Sequence, residues 1–229
     1  MTRDQVLDAL LAAKAVAVVR MKDAARLADA AEALRKGGVT AIEITMTVPG
    51  AAGIIREMAR SKAPGMLVGA GTVLDTGMAA DVIGAGADFV VSPITDLDMI
   101  EACRAAGVLV APGAFTPTEI VSAWRAGADI VKVFPATSLG PQFCRDMRGP
   151  LPQIRLMPTG GVTIENARDF LAAGACCIGI GTALVDRKAV EAGDWTALEA
   201  RARRLTASLA TLEPEGSSGS GGSSGSSSR

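Results

Sequence analysis

Apolar positions along the chain fall into two alternating kinds of segment. Short runs rich in β-branched residues occupy positions 16–20, 41–46, 67–72, 89–93, 109–114, 130–136, 155–160 and 176–182, with the length and composition of buried strands. Stretches with helical spacing lie between them, for example 24–36, 50–60, 96–106 and 163–173, and an amphipathic helix is predicted near the start, over 1–13. Gly-containing stops such as Lys36-Gly37-Gly38 and Ala173-Gly174 end predicted helices, and Thr116-Pro117 opens one. Eight strand–helix units recurring every roughly 20 to 26 residues predict an α/β fold, a (β/α)₈ barrel in one domain with an added N-terminal helix. A doubly wound open sheet is the alternative. It usually carries a glycine-rich turn after its first strand, and here that strand ends in Arg20-Met21-Lys22.

The pattern breaks near the end. Residues 216–229 are Gly and Ser with one terminal Arg, a composition that buries no apolar surface. The domain is therefore drawn over 1–212, and 213–229 is read as a flexible tail of engineered origin.

Strand parity sorts the side chains. In the run from Ala41 to Met46, the set Ala41, Glu43 and Thr45 faces one way and Ile42, Ile44 and Met46 the other. The second set suits the helix layer, which turns Glu43 inward. By the same count Ile130, Lys132 and Phe134 share an inward face, while Val131 and Val133 pack outward. A lysine inside a strand is rare without a partner, and desolvation lowers its pKa, which supplies the neutral amine that Schiff-base chemistry needs. A structural Glu43–Lys132 ion pair is the competing reading.

Composition narrows the chemistry. The chain has 229 residues, is 49% hydrophobic and carries a net charge of −1, which gives no electrostatic case for nucleic acid or an anionic membrane. No apolar run approaches the ~18 residues of a spanning helix, so a cytoplasmic protein is expected. There is no histidine. That removes Ser-His-Asp and Cys-His catalysis and the usual zinc sites, leaving acid–base work to carboxylate, lysine or water. The four cysteines form no CxxC pair, and Cys176 and Cys177, adjacent on a predicted strand, are expected on opposite faces with a packing role.

Barrel sites form at the C-terminal strand ends. The turn Thr159-Gly160-Gly161, followed by a helix predicted to begin near Thr163, and the turn Gly179-Ile180-Gly181-Thr182 are suited to a phosphate, because glycines let the backbone N–H groups approach an anion. Tight strand–helix turns would also explain these glycines. Arg20 and Thr72 close the first and third strands and offer a guanidinium and a hydroxyl to a substrate carboxylate; a solvated strand-end charge is the plainer reading of Arg20.

Taken in order, Glu43 in Ile-Glu-Ile-Thr, Gly69-Ala-Gly-Thr72, Ser92-Pro93, Lys132-Val-Phe-Pro135 and Pro158-Thr-Gly-Gly161 resemble the class I 2-keto-3-deoxy-6-phosphogluconate (KDPG) aldolases over residues 5 to 210. The resemblance implies a homotrimeric barrel of the Entner–Doudoroff pathway that binds pyruvate and a phosphorylated sugar acid and uses neither metal nor cofactor. It assigns Lys132 as the Schiff-base lysine and Glu43 as the acid/base. Thr72 and Thr159 would line the pyruvyl end, and Pro93 and Phe134 would wall the pocket. Gly160, Gly161, Gly181 and Thr182 would grip phosphate. One departure stands out. Many members carry an arginine four residues after the glutamate, where this chain has Thr47, leaving Arg20 as a candidate cationic contact. Two rival readings share the barrel: a phospho-sugar epimerase or isomerase, and a trimeric scaffold engineered for assembly or display.

Overall fold

The apolar runs form strands whose ends are trimmed relative to the sequence pattern. A computed structural model describes residues 1–21 and 24–210; the predicted tail lies outside the described residues. The strands are β1 (Ala15–Val19), β2 (Ala41–Thr45), β3 (Leu67–Gly71), β4 (Phe89–Val91), β5 (Leu109–Ala111), β6 (Gly113–Ala114), β7 (Val131–Val133), β8 (Leu156–Pro158) and β9 (Ile178–Ile180). All pairings among them are parallel: one sheet has the order β5-β4-β3-β2-β1-β9, the other β6-β7-β8. The run predicted as one strand over 109–114 is split, because Pro112 has no N–H to give a ladder. Its carbonyl still accepts from the Lys132 N–H at 2.8 Å, and an isolated parallel bridge joins Thr159 to Gly179. The result is an α/β fold of parallel strands with helices after them. The sequential strand order, with β9 beside β1, differs from a doubly wound sheet.

The helices are α1 (Arg3–Ala13), α2 (Ala24–Lys36), α3 (Ala51–Ser61), α4 (Thr76–Gly84), α5 (Leu97–Ala105), α6 (Pro117–Arg125), α7 (Gly140–Arg148), α8 (Ala167–Ala172), α9 (Arg187–Ala192) and α10 (Trp195–Ala210). Their starts follow local chemistry. Thr2 with Gln5 and Thr116 with Glu119 form capping boxes on α1 and α6, and Asp75 and Asp96 cap α4 and α5. The helix predicted from near Thr163 begins only at Ala167. Residues 163–166 instead form a turn, in which the Asn166 side chain accepts from Thr163 N (2.7 Å) and donates to Gly161 O (3.0 Å); an Asn side chain that bonds nearby backbone competes with helix there. Gly37 lets α10 lie close on the end of α2: a methyl at Gly37 would overlap Ala202 and stand 2.6 Å from Glu199 O.

Two apolar clusters divide by strand parity. Ile42, Ile44, Val131 and Val133 join the helix layer, with the α3 face Ile54, Ile55 and Met58. Ala41, Leu67, Phe89, Leu109, Ile130, Met157 and Cys177 form a second, inner cluster, and Val6 and Leu10 of α1 close it. The opposite-face expectation for Cys176 and Cys177 is overturned. Both precede β9, Cys176 packs against the same inner cluster that holds Cys177, and their sulfurs lie 3.7 Å apart. All four cysteines are free, and burial pushes the Cys103 and Cys144 thiols up to about 11, which keeps them protonated.

Candidate active site

Buried polar groups lie on β2 and β7 and just after β8. Glu43 on β2 is 1% exposed and Lys132 on β7 is 3% exposed, so both are removed from water. The two form no ion pair among the described residues, and Glu43 Oε2 is buried without a hydrogen-bond partner. The purely structural pairing is therefore not what this geometry shows. Burial is the largest influence on the Lys132 amine and pushes its pKa down from 10.5. The nearby Glu43 charge pulls it up, and Arg20 pushes it down again. Lys132 Nζ lies 5.0 Å from the centre of the Phe134 ring, so lysine and aromatic share the face that parity assigned them. The arrangement can present an uncharged nucleophile beside a carboxylate with one oxygen still to be satisfied.

Around this pair the predicted residues take distinct places. Thr159 is buried at the end of β8, and the bridge to Gly179 sets it beside β9. Thr72 follows β3 in the left-handed region, at φ 59°, a conformation a β-branched residue rarely adopts. Such strain concentrates at functional sites. Pro93 and Phe134 line one cavity of about 440 Å³ with Gly113, Ala114 and Phe115, at the C-terminal ends of β4, β6 and β7. Arg20 and Thr182 line a second, of about 500 Å³, at the ends of β1 and β9. Thr72 does not line it, so Arg20 is grouped with the glycine-turn side of the site. Gly160 and Gly161 both have positive φ (88° and 73°), which gives their turn the form only glycine takes readily. Thr47 is exposed and its hydroxyl is 2.8 Å from that of buried Thr45.

Sequence reasoning passed over two features here. Thr45 and Ser92 are fully buried, and Thr45 was legible as the residue sharing the face of Glu43. The sequence placed Gly71 and Gly179 within motifs but not against Glu43 and Thr159, since that closeness depends on cross-strand register. Among the described residues no group of three or more Cys, Asp or Glu side chains is placed to hold a metal ion.

Comparison with known proteins points one way. The family model for KDPG and KHG aldolase matches residues 6–201. The 2-dehydro-3-deoxy-phosphogluconate aldolase of Pseudomonas aeruginosa is 36% identical over 193 residues, covering 83% of this chain and 87% of that protein. A solved KDPG aldolase from Legionella pneumophila, with pyruvate captured as a covalent carbinolamine intermediate, superposes with a TM-score of 0.81 at 27% identity, covering 87% of this chain and 97% of that one. A cube-shaped protein cage designed by fusing symmetric oligomeric domains is also similar, with a TM-score of 0.79 at 27% identity over 86% of this chain and 72% of its own.

Proposed function

The chain belongs to the KDPG and KHG aldolase family, and from that premise we propose how its own residues carry out the reaction. The activity is reversible cleavage of KDPG to pyruvate and glyceraldehyde 3-phosphate by a class I, Schiff-base carbon–carbon lyase. One observation carries the assignment of roles: a lysine almost wholly buried, its amine biased toward the neutral form, beside a carboxylate with an unpartnered oxygen.

Neutral Lys132 adds to the C2 ketone to give a carbinolamine, which loses water to form an iminium. Glu43, directly or through a water, takes the proton of the C4 hydroxyl. The C3–C4 bond then breaks and its electron pair moves into the iminium, giving an enamine and free aldehyde. Proton return to C3 and hydrolysis release pyruvate and restore the amine. Thr72 and Thr159 border the pyruvyl end, and Pro93 and Phe134 wall the pocket. Gly160, Gly161, Gly181 and Thr182 bind the phosphate through backbone N–H groups and a hydroxyl. Arg20 lines the cavity that holds Thr182, which favours a contact to the phosphate. Exposed Thr47, joined to Thr45, leaves the position of the usual arginine uncharged.

The finer architecture belongs to the same proposal: a closed (β/α)₈ barrel in one domain over 1–212, supported by the Lys132–Pro112 hydrogen bond and the Thr159–Gly179 bridge between the two sheets. We place the protein in the cytoplasm as a homotrimer. No helix among the described residues is long and apolar enough to cross a membrane. Leu74, Ile94, Leu97 and Phe115 are each at least 40% exposed, large apolar side chains suited to burial against a second copy, and light scattering reads the assembly directly. Borohydride reduction with pyruvate tests the chemistry. A mass adduct is expected on the Lys132 peptide; its absence sinks the Schiff-base assignment.

A further inference from the structure

Leu67, Gly69 and Gly71 make up the inward face of β3, while Val68 and Ala70 pack in the helix layer. Two of the three inward positions therefore have no side chain. The vacated space is filled from both sides. The Phe89 ring of β4 lies over Gly69, and the carboxyl of Glu43, from β2, lies over Gly71. A methyl at Gly71 would stand 2.6 Å from Glu43 Cγ and overlap Cδ and Oε1 more severely still. Neither contact can relax by swinging a loose chain end into solvent, because Glu43 is fully enclosed.

Gly71 has no backbone reason to be glycine. Its φ lies outside the positive region, unlike the left-handed Thr72 that follows it. Its N–H and C=O are tied into the sheet; the carbonyl accepts from Met46 N at 2.8 Å. What the position requires is the missing Cβ alone. The same device recurs across the site: a methyl at Gly179 would stand 3.1 Å from Thr159 Cβ and overlap its hydroxyl. Glu43 Oε2, meanwhile, has no hydrogen-bond partner. The carboxylate is thus located by shape at Oε1 and left without a hydrogen-bond partner at Oε2.

We propose that Gly71 is a positioning residue: its bare Cα is the seat that fixes the Glu43 carboxylate, leaving Oε2 free to take the substrate proton. The inference rests on the reading of Glu43 as the acid–base group. A misplacement of about 1 Å in a catalytic group can cost on the order of 10²-fold, and overlap of this size cannot be relieved by less.

The experiment uses the full chain and two readouts. Borohydride trapping with pyruvate reports Schiff-base formation at Lys132. Exchange of the pyruvate C3 protons for deuterium, followed by NMR, reports proton transfer by Glu43. Gly71→Ala is expected to keep trapping while exchange falls about 10²-fold. Glu43→Ala, which removes Cγ, Cδ and Oε1 together, clears the methyl; adding Gly71→Ala to it is expected to change the residual exchange and the trapping by less than about twofold, a non-additivity that a merely structural role for Gly71 does not produce. Should the single variant fail to fold, the double variant must fold and trap pyruvate. Exchange within twofold of the parent in Gly71→Ala, or a further loss of about tenfold or more on adding Gly71→Ala to Glu43→Ala, overturns the proposal while leaving the aldolase assignment standing. Absence of trapping in the unaltered protein overturns both.

Discussion

Asp129 opens the strand that carries Lys132, and its side chain is 4% exposed at the N-terminal end of the sheet. One carboxylate oxygen accepts from Arg3 Nε of α1 at 2.7 Å, and the other accepts from Val110 N of β5 at 3.0 Å. Its own carbonyl accepts from Arg155 Nε at 2.7 Å, which no side-chain change removes. Asp129→Ala therefore deletes two bonds of different worth. The Val110 N–H is left buried and unpaired, at a cost of about 1–3 kcal/mol. Arg3 is one-third exposed, so its guanidinium turns to water and the lost ion pair costs about 0–1 kcal/mol. The expected loss is roughly 2–3 kcal/mol, set mostly by the amide. Asp129→Asn keeps an acceptor for Val110 and gives up only the charge, so about 1 kcal/mol is expected. Urea unfolding of the three proteins, with unchanged m values, measures both numbers. Pyruvate trapping should persist in both variants, because the Lys132 amine works at the other end of the strands. Equal losses for Ala and Asn refute the reasoning, since they would mean that leaving the Val110 amide unpaired is not the larger of the two costs.

Further outcomes follow from the site. Lys132→Met should abolish the pyruvate adduct yet raise stability. A lysine whose pKa is depressed on folding costs stability in full below the folded pKa, and the cost fades as pH climbs to the ordinary 10.5. The gain in unfolding free energy should therefore be large at neutral pH and vanish in strong alkali; a gain that grows with pH would contradict the burial argument. Glu43→Gln should retain trapping and lower the turnover number about 10²–10⁴-fold, read by a coupled aldehyde assay. Arg20→Met removes a charge that pushes the Lys132 amine down, so the acid limb of trapping rate against pH should move upward; a limb that stays or moves down rules out this coupling. Phe89→Ala empties the space over Gly69, and calorimetry should show a loss of about 3–5 kcal/mol.

How much of this was written in the chain depends on the range of the interaction. Period-two alternation was enough to turn Glu43 and Lys132 inward and Val131 and Val133 outward, because a strand in regular pleat leaves no other choice. The same rule failed at Cys176 and Cys177, which sit just before the pleat begins. Pro112 was visible as a residue without an N–H, yet the break it makes in the fifth strand was not anticipated. The helix expected at Thr163 gave way to a turn built by Asn166, a side chain able to bond backbone on either side of it. The seat at Gly71 was illegible in principle: it depends on the β2–β3 register, which brings Glu43 opposite Gly69.

The two ends of the sheet carry opposite kinds of chemistry. At the N-terminal ends, charges are matched: Arg3 with Asp129, Lys62 with Asp88, and Asp88 in turn with Val68 N at 2.8 Å. At the C-terminal ends the balance is reversed. Among the described residues Lys132 is buried without an ion-pair partner and Glu43 Oε2 without a hydrogen-bond partner, and Thr72 is held at positive φ. Each of these costs folding free energy, of order 1–3 kcal/mol for the strained backbone or an unpaired buried group. Glu43 alone could have restored the lysine's charge, but desolvation outweighs its pull and Arg20 reinforces desolvation. The matched ion pairs lie at the other end of the strands and restore no charge to the amine. Substitutions at the N-terminal ends should accordingly appear in unfolding curves with turnover intact, and those that remove Lys132 or the Glu43 charge at the C-terminal ends in turnover with stability held or raised.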